Sequence, residues 1–208
     1  IIQEINLTRS VHIVTIEDPI EYLYTSEVAL IHQRELGRDT KTFAEALRRA
    51  MRQDPDVIMI GELRDLETIS AAITAAETGH LVLATLHTRD AAQSIDRIID
   101  VFPPYQQQQI RIQLSSMLLG VLSQQLIPLE GISGRTVATE YLVATNAVRN
   151  YIREGKSSQI KNVIQTGSSL GMHTMDQDLA RLCRDGMIGR KEALGHAYDV
   201  ESFNRYMM

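Results

Sequence analysis

Three segments of the chain place carboxylates or histidines directly after short apolar runs. They are TIEDPIE at Thr15–Glu21, DPDVIMIGELRD at Asp54–Asp65 and GHLVLATLHT at Gly79–Thr88. A side chain at the end of a buried strand is oriented by the sheet, so a carboxylate there can act on a metal-bound phosphate or on an attacking water. This placement favours a phosphate–metal centre in an α/β domain.

The second of these segments carries the strongest candidate for a general base. Gly61 follows the apolar run Val57–Ile60 and leaves room for a close approach, and Glu62 comes next. Taken alone, the pattern also fits an ordinary strand that ends in a polar loop. The presence of the other two segments favours the catalytic interpretation of Glu62.

The first acidic segment holds Glu17, Asp18 and Glu21 within five residues. Converging carboxylates repel one another unless a cation or an arginine neutralises them, which suits Mg²⁺ and a phosphate held partly through water. We expect Glu21 to be a second catalytic carboxylate that positions or polarises water. The alternative is a charged loop.

Two histidines, His80 and His87, flank the apolar run Leu81–Leu86. On one strand they would lie roughly 23 Å apart, so they cannot share a metal ion. His87 is at the carboxyl end, where its ring could contact a γ-phosphate or sense its loss. His80 is at the other end, where a structural role is an equal alternative.

Arginines can stabilise the charge of phosphoryl transfer, often from a neighbouring subunit. The sequence does not choose among the candidates, which are Arg48, Arg52, Arg64, Arg97 and Arg111.

The first half of the chain alternates predicted strands with predicted helices. The strands are Val11–Ile16, Val57–Ile60 and Leu81–Leu86, and the helices are Thr40–Gln53, Leu66–Thr78 and Asp90–Val101. This alternation is typical of an α/β fold with a mostly parallel sheet, whose ligands bind at the carboxyl ends of the strands. Thr42 is the expected N-cap of its helix, and IIQEINLTRS at the start reads as the tail of another helix.

A different pattern follows in the second half. We predict one long helix over Tyr105–Leu126, a turn and a strand over Gly131–Leu142, and short amphipathic helices from Asn146 onward. The predicted division is therefore an α/β core over residues 1–144 and a helical C-terminal subdomain over residues 145–208.

Composition excludes several classes of protein. A net charge of -5 gives no support to nucleic-acid binding, and no apolar run approaches the length of a membrane span. The single cysteine, Cys183, allows neither an internal disulfide nor a four-thiolate zinc site. A cytosolic protein is the simplest interpretation.

The motifs resemble those of the type IV pilus retraction ATPases, the twitching-motility motors of the secretion ATPase superfamily. The resemblance runs over essentially the whole chain and covers the family's Asp box, Walker B and His box. It includes AVRNYIREGK at Ala147–Lys156, which is similar to a signature of retraction motors, and GMHTMDQDL at Gly171–Leu179. Within AVRNYIREGK, Arg149, Arg153 and Lys156 lie on one basic helical face. The alternative without a specific function is an amphipathic helix with a solvated basic side.

This resemblance implies a RecA-like P-loop NTPase core, with Glu21 in the Asp box, Glu62 in Walker B, and His80 and His87 in the His box. It implies ATP and Mg²⁺ as cofactors and a homohexamer that works with the inner-membrane platform protein of the pilus. The ring would be cytoplasmic and peripheral to the inner membrane at the pilus base, without insertion into it. The AVRNYIREGK helix would be required for retraction.

The family's phosphate loop, G-x-x-x-x-G-K-[ST], does not occur in these 208 residues. We therefore expect a core truncated at its N-terminus. The alternatives are a non-catalytic interaction or regulatory subunit, and an assembly or type II secretion ATPase. The tetracysteine zinc motif common in those relatives cannot be formed with Cys183 alone.

The chain by itself is expected to bind ATP very weakly and not to turn it over, because a phosphate loop supplies the backbone N–H groups and the lysine that hold the phosphates. A phosphate-release assay on the purified chain tests this. Turnover that Glu62→Gln abolishes would contradict the expectation.

Overall fold

The computed structural model describes all residues, Ile1–Met208, and the chain divides into two compact units. The first contains residues 1–87 and 101–103, and the second contains residues 88–100 and 104–208. The boundary predicted near residue 144 falls inside the second unit, and a domain division there stays a prediction.

The first unit is built on a four-stranded, all-parallel sheet with the strand order β2-β1-β3-β4. Its strands are β1 (His12–Glu17), β2 (Leu30–Glu35), β3 (Val57–Ile60) and β4 (Leu81–Ala84), and its helices are α1 (Ile2–Thr8), α2 (Phe43–Ala50) and α3 (Leu66–Glu77). The predicted α/β class and parallel sheet are confirmed.

Burial follows strand position in this sheet. The central strands β1 and β3 are almost completely buried, whereas the edge strands β2 and β4 are half-exposed. The expected helix at the start is present as α1, and its Ile2 and Ile5 pack against Ile13, Ala29 and Val57. Burial of these side chains holds α1 on the sheet.

Helix starts in the first unit follow the expected capping chemistry. The Thr42 side chain accepts a hydrogen bond of 3.1 Å from the N–H of Glu45, as predicted for α2. The Asp65 side chain caps α3 by accepting 2.8 Å from the N–H of Thr68. Strand β2 was not predicted, because its sequence, LIHQRE, is half polar at an exposed sheet edge.

The second unit combines one β-hairpin with helices. Its elements are α4 (Ala91–Asp100), α5 (Pro104–Met117), β5 (Gly120–Pro128), β6 (Arg135–Val143), α6 (Asn146–Glu154), α7 (Ile160–Thr166), α8 (Met175–Arg184), α9 (Arg190–His196) and α10 (Val200–Met207). Single 3₁₀ turns precede α7 and α8, at Ser157–Gln159 and Ser168–Leu170. The short helices after Asn146 are confirmed, and α10 is an addition to them.

The predicted helix over Tyr105–Leu126 is wrong beyond Met117. The chain turns instead into β5, which pairs antiparallel with β6 from Gly120↔Val143 to Pro128↔Arg135. A side chain at Gly120 would meet the Leu142 carbonyl oxygen at 2.8 Å, so this glycine permits the close approach. The apolar spacing fits both a helix and a strand, and pairing with a distant segment decides between them.

Side chains of the β5–β6 hairpin contribute to the core of the second unit. Ile127 and Ala138 pack with Leu179 of α8 and Phe203 of α10, all fully buried. The buried carboxylate of Glu140 accepts a 2.9 Å hydrogen bond from the N–H of Ala91 at the start of α4, and burial raises the pKa of Glu140.

No helix in the structure combines the length and the apolar character needed to cross a bilayer.

Thr174→Ala should destabilise the second unit by about 1 kcal/mol, because Thr174 and Gln177 form a reciprocal capping box at the start of α8. Chemical denaturation measures the loss. Ser158→Ala, at an exposed position outside any cap, is the matched control. Equal stability of the two variants would contradict the structural role of this cap.

Candidate active site

The carboxyl ends of β1 and β3 are held together by a close backbone approach at Gly61. The N–H of Gly61 donates a 2.7 Å hydrogen bond to the Ile16 carbonyl oxygen. A Cβ at position 61 would lie 3.1 Å from that oxygen and 3.2 Å from the Glu17 Cα. A side chain here would therefore crowd the neighbouring backbone, and the residue after Gly61, Glu62, follows the same strand end.

Two cationic or hydrogen-bonding groups converge on the Glu62 carboxylate. Arg64 Nε lies 2.6 Å and His87 Nε2 lies 3.1 Å from the same oxygen, Oε1. The Glu62 side chain is 17% exposed, whereas those of Arg64 and His87 are 65% and 77% exposed. The hydrogen bond from Arg64, followed by the charges of Arg64 and His87, lowers the pKa of Glu62 despite the opposing effect of burial.

His87 reaches Glu62 because the segment after β4 is tied to the segment after β3. The Thr85 hydroxyl donates a hydrogen bond to the Gly61 carbonyl oxygen. The N–H of Leu63 donates 3.0 Å to the Thr85 carbonyl oxygen. These two bonds join the segments that follow β3 and β4, which carry the Walker B and His box residues. Both segments lie at the carboxyl ends of their strands, where the sequence analysis placed them.

The acidic residues of the first segment separate in the structure. The Glu17 carboxylate turns into the sheet, where its Oε1 accepts 2.6 Å from the Thr15 hydroxyl and 3.0 Å from Gln33 Nε2. Asp18 is exposed, and its charge raises the pKa of Arg64 after the larger effects of Glu62. Glu17 is thus held by a buried polar network, whereas the charge of Asp18 acts on Arg64, the partner of Glu62.

Glu21 lies on the exposed loop that follows the cis peptide bond between Asp18 and Pro19. Its carboxylate has no hydrogen-bond or ion-pair partner, so the fold does not join Glu21 to Glu62 in this conformation. The catalytic role expected for Glu21 stays a prediction.

His80 lies at the amino end of β4 and serves its local structure. Its Nδ1 is 2.9 Å from the Ala75 carbonyl oxygen and 3.1 Å from the Thr78 hydroxyl, both at the end of α3. These contacts fit the structural alternative for His80, whereas His87 contacts the Glu62 centre.

The candidate trans arginines have different surroundings. Arg64 binds Glu62 within its own chain, and Arg97 is exposed on α4. Arg111 packs beside Gly155, and its Nη1 is buried without a hydrogen-bond partner. A role across a subunit boundary stays a prediction for each of them.

Arg149 of the AVRNYIREGK segment turns inward instead of forming a solvated basic face. Its Nη1 donates two 2.6 Å hydrogen bonds to the carbonyl oxygens of Ser115 and Ser116 at the end of α5. Its Nε donates 3.0 Å to the Ala144 carbonyl oxygen. Carbonyls in the last turn of a helix lack partners within the helix and attract cations, so Arg149 ties α6 to the end of α5.

The other basic residues of this segment remain at the surface. Arg153 Nη2 contacts Asn150 Oδ1 at 3.3 Å, and Lys156 pairs with Glu154 at 2.8 Å. The predicted common basic face of Arg149, Arg153 and Lys156 is therefore divided. The sequence spacing was correct for a helix but did not show that its first arginine caps a neighbouring helix.

The parallel sheet with flanking helices, with carboxylates and a histidine after its strands, defines a RecA-like core of the kind found in ATPases. Residues 1–193 match the family model described as "Type II/IV secretion system protein". The chain belongs to this family.

Named relatives support the same assignment. The chain is 51% identical over 203 residues to a "Twitching motility protein" of Neisseria gonorrhoeae, a match that covers 98% of the chain and 54% of the relative. It is 52% identical over 199 residues to the "Type IV pilus retractation ATPase PilT" of Pseudomonas aeruginosa, covering 96% of the chain and 58% of that protein.

A solved structure described as "Crystal Structure of the Pilus Retraction Motor PilT and Bound ADP" superposes with a TM-score of 0.88 at 48% identity. The match covers 98% of the chain and 57% of the solved one. The chain thus spans a little over half the length of these relatives.

Arg149→Ala should destabilise the second unit by about 2 kcal/mol, because it removes charged hydrogen bonds to three carbonyl oxygens. Hydrogen exchange should also quicken at the end of α5 and the start of α6. Arg153→Ala is the matched control, since that side chain is exposed and makes one 3.3 Å contact. If both variants exchange like the parent chain, the proposed tie between α5 and α6 is wrong.

Proposed function

We propose that this chain carries the hydrolytic centre and the C-terminal part of an ATP-driven hexameric motor that retracts type IV pili and so powers twitching motility. The observation that carries the proposal is the Glu62 carboxylate, which follows a central strand and is contacted by Arg64 and His87. Two relatives that are 51% and 52% identical to the chain are named for twitching motility and pilus retraction, which supports the same function.

Each side chain of the centre has a proposed role. Glu62 is the general base that accepts a proton from the attacking water, since it follows the sheet edge where ligands of parallel α/β folds bind. His87, exposed beside it, contacts the γ-phosphate. Glu21 acts as the second carboxylate and polarises water, and His80 fixes the amino end of β4.

The residues present fit ATP and Mg²⁺ on the chemistry of their donors. The carboxylates of Asp18 and Glu62 are hard oxygen ligands of the kind that suit Mg²⁺, directly or through water. Arg64 is 2.6 Å from Glu62 and feels the charge of Asp18, which supports a place for positive charge beside these carboxylates. Bound Mg²⁺ and ATP supply the phosphoryl group and the charge neutralisation for its transfer. The phosphate-binding N–H groups would come from a loop that is not among these residues.

The assembly proposed here is a ring of six copies with nucleotide between neighbouring subunits, so that Arg64, Arg97 or Arg111 of one subunit serves its neighbour. The ring lies in the cytoplasm against the inner membrane and acts on the platform protein at the pilus base. No role with nucleic acid is proposed, in keeping with a net charge of -5.

We propose pilus retraction instead of pilus assembly because the chain contains the AVRNYIREGK segment, which forms helix α6. Arg149 and the buried Val148 and Ile152 fix α6 within the second unit. Arg153 and Lys156 stay exposed at its other end, where they can contact a partner. Two alternatives remain, an assembly or secretion motor and a non-catalytic subunit. The following experiment distinguishes both from a retraction motor.

Glu62→Gln, introduced into the protein as the cell makes it, should lower ATP turnover by about 10²- to 10⁴-fold, because an amide cannot accept the water proton. Phosphate release measures turnover, and twitching of a strain that carries the variant measures retraction. Cells should keep their surface pili and lose movement.

Glu4→Gln is the control, since Glu4 is an exposed carboxylate on α1 away from the strand ends. Normal turnover in the Glu62 variant would reject the catalytic role. Loss of surface pili, with turnover abolished, would indicate an assembly motor instead of a retraction motor.

A further inference from the structure

The His87 side chain reaches Glu62 without being held by packing. It is 77% exposed, and its Nε2 lies 3.1 Å from Glu62 Oε1. The direction of an exposed side chain depends on the residues that hold the backbone beneath it. Two residues before His87, the Thr85 carbonyl oxygen accepts 3.0 Å from the N–H of Leu63. A second anchor is needed on the other side of His87.

Two hydrogen bonds from distant parts of the chain fix the residues that follow His87. The Tyr198 hydroxyl donates to the Arg89 carbonyl oxygen. The N–H of Ala91 donates 2.9 Å to the buried Glu140 carboxylate. The partners in these bonds are 109 and 49 positions apart in the sequence, so the start of α4 is held from outside the helix itself.

Both anchors are themselves held by the GMHTMDQDL segment, Gly171–Leu179. Asp176, which is 1% exposed, accepts 2.7 Å from the N–H of Tyr198. The N–H of Met175, the first residue of α8, donates to the Glu140 carboxylate. This segment belongs to the motifs that carry the family resemblance, and the proposed hydrolytic centre gives it no role. Its buried carboxylate and its helix start hold the two anchors.

The chemistry of Tyr198 suits it to this task. Burial raises the pKa of Tyr198, so the phenol stays neutral and keeps the proton that it donates to a carbonyl oxygen. Its ring packs against the core cluster of the second unit, which includes Phe203. A packed aromatic ring has few rotamers, so its hydroxyl is presented from a fixed position.

We infer that Tyr198 and Glu140 are positioning residues for His87, which fix the backbone that follows it so that its ring stays directed at Glu62 and the γ-phosphate. The GMHTMDQDL segment is the support that holds these two residues. The inference rests on the proposed function of His87 and extends it to the groups that orient the same side chain.

A merely structural role for these bonds predicts a different pattern of effects. If they only stabilise the second unit, the loss of one should quicken hydrogen exchange throughout that unit. A positioning role confines the effect to the residues after His87 and to its ring. Tyr198→Phe distinguishes the two, because it removes the hydroxyl and keeps the packed ring.

The first experiment needs no turnover and compares the 208-residue chain with its Tyr198→Phe variant, both without nucleotide. Amide exchange of residues 89–91, measured by NMR, should be about three- to ten-fold faster in the variant, as expected for the loss of one hydrogen bond. At constant pH the ring signal of His87 should move. The ring signal of His80, which is bound to the end of α3, should stay in place.

Tyr206→Phe is the matched control. Tyr206 packs against the same core cluster, and its hydrogen bond with Arg184 uses its carbonyl oxygen instead of its hydroxyl group. Exchange of residues 89–91 in Tyr198→Phe that is no faster than in this control overturns the inference. Faster exchange throughout the second unit, or an unmoved His87 signal, also overturns it, since the bond would then serve only the fold.

The second experiment measures ATP turnover of the protein as the cell makes it. Tyr198→Phe should lower kcat by about two- to ten-fold and leave KM within about two-fold, because a displaced catalytic group costs rate more than ground-state binding. Adding Tyr198→Phe to His87→Ala should give no further loss, because Tyr198 acts through His87. An unchanged kcat, or an equal further loss in the His87→Ala background, overturns the inference.

Failure of the proposed function can be told apart from failure of this inference. If Glu62→Gln by itself turns over ATP normally, the hydrolytic role of the centre is wrong. Amide exchange and the His87 ring signal still decide whether Tyr198 holds the backbone that follows His87.

Discussion

The close approach of β1 and β3 at Gly61 is the constraint on which the candidate site depends. At the hydrogen bond from Gly61 to the Ile16 carbonyl oxygen, a side chain would crowd the neighbouring backbone, with its Cβ 3.1 Å from that oxygen. This bond brings the end of the Asp box strand against the Walker B strand, while Thr85 binds the same glycine's carbonyl group from the other side. One residue without a side chain thus ties together three strand ends, and Glu62 is oriented by backbone bonds on both sides.

The second unit is stabilised by a different kind of interaction, in which charged side chains bind helix ends. Arg149 binds the last carbonyls of α5, and Glu140 binds the first N–H of α4. Each places a charge where the helix dipole attracts it. At the other end of α6, the Arg153 carbonyl oxygen accepts a 3.3 Å bond from Gln108 of α5. The antiparallel helices α5 and α6 are therefore joined at both ends.

Much of the fold could be read from local patterns. The bounds of β3 match the prediction residue for residue, and those of α3 differ only at the last residue, because the apolar run and the Asp65 cap are local signals. The failures are β2 and the second half of the predicted helix that became β5. Both are strands with mixed composition, and a strand obtains its hydrogen bonds from a partner that may be distant in sequence. For β5 that partner is β6, and Gly120 was the one local sign of it.

The sequence by itself determined which residue types stand at the strand ends, and with them the family and the chemistry they could do. Motif order and spacing carry that information, because the carboxyl ends of parallel strands meet at one edge. Only the tertiary structure decided which of those side chains meet. It joined Glu62 to Arg64 and His87, turned Glu17 into the sheet, left Glu21 exposed and bound Arg149 to the end of α5. These outcomes depend on side-chain direction and on partners far apart in the chain, which spacing along a sequence does not specify.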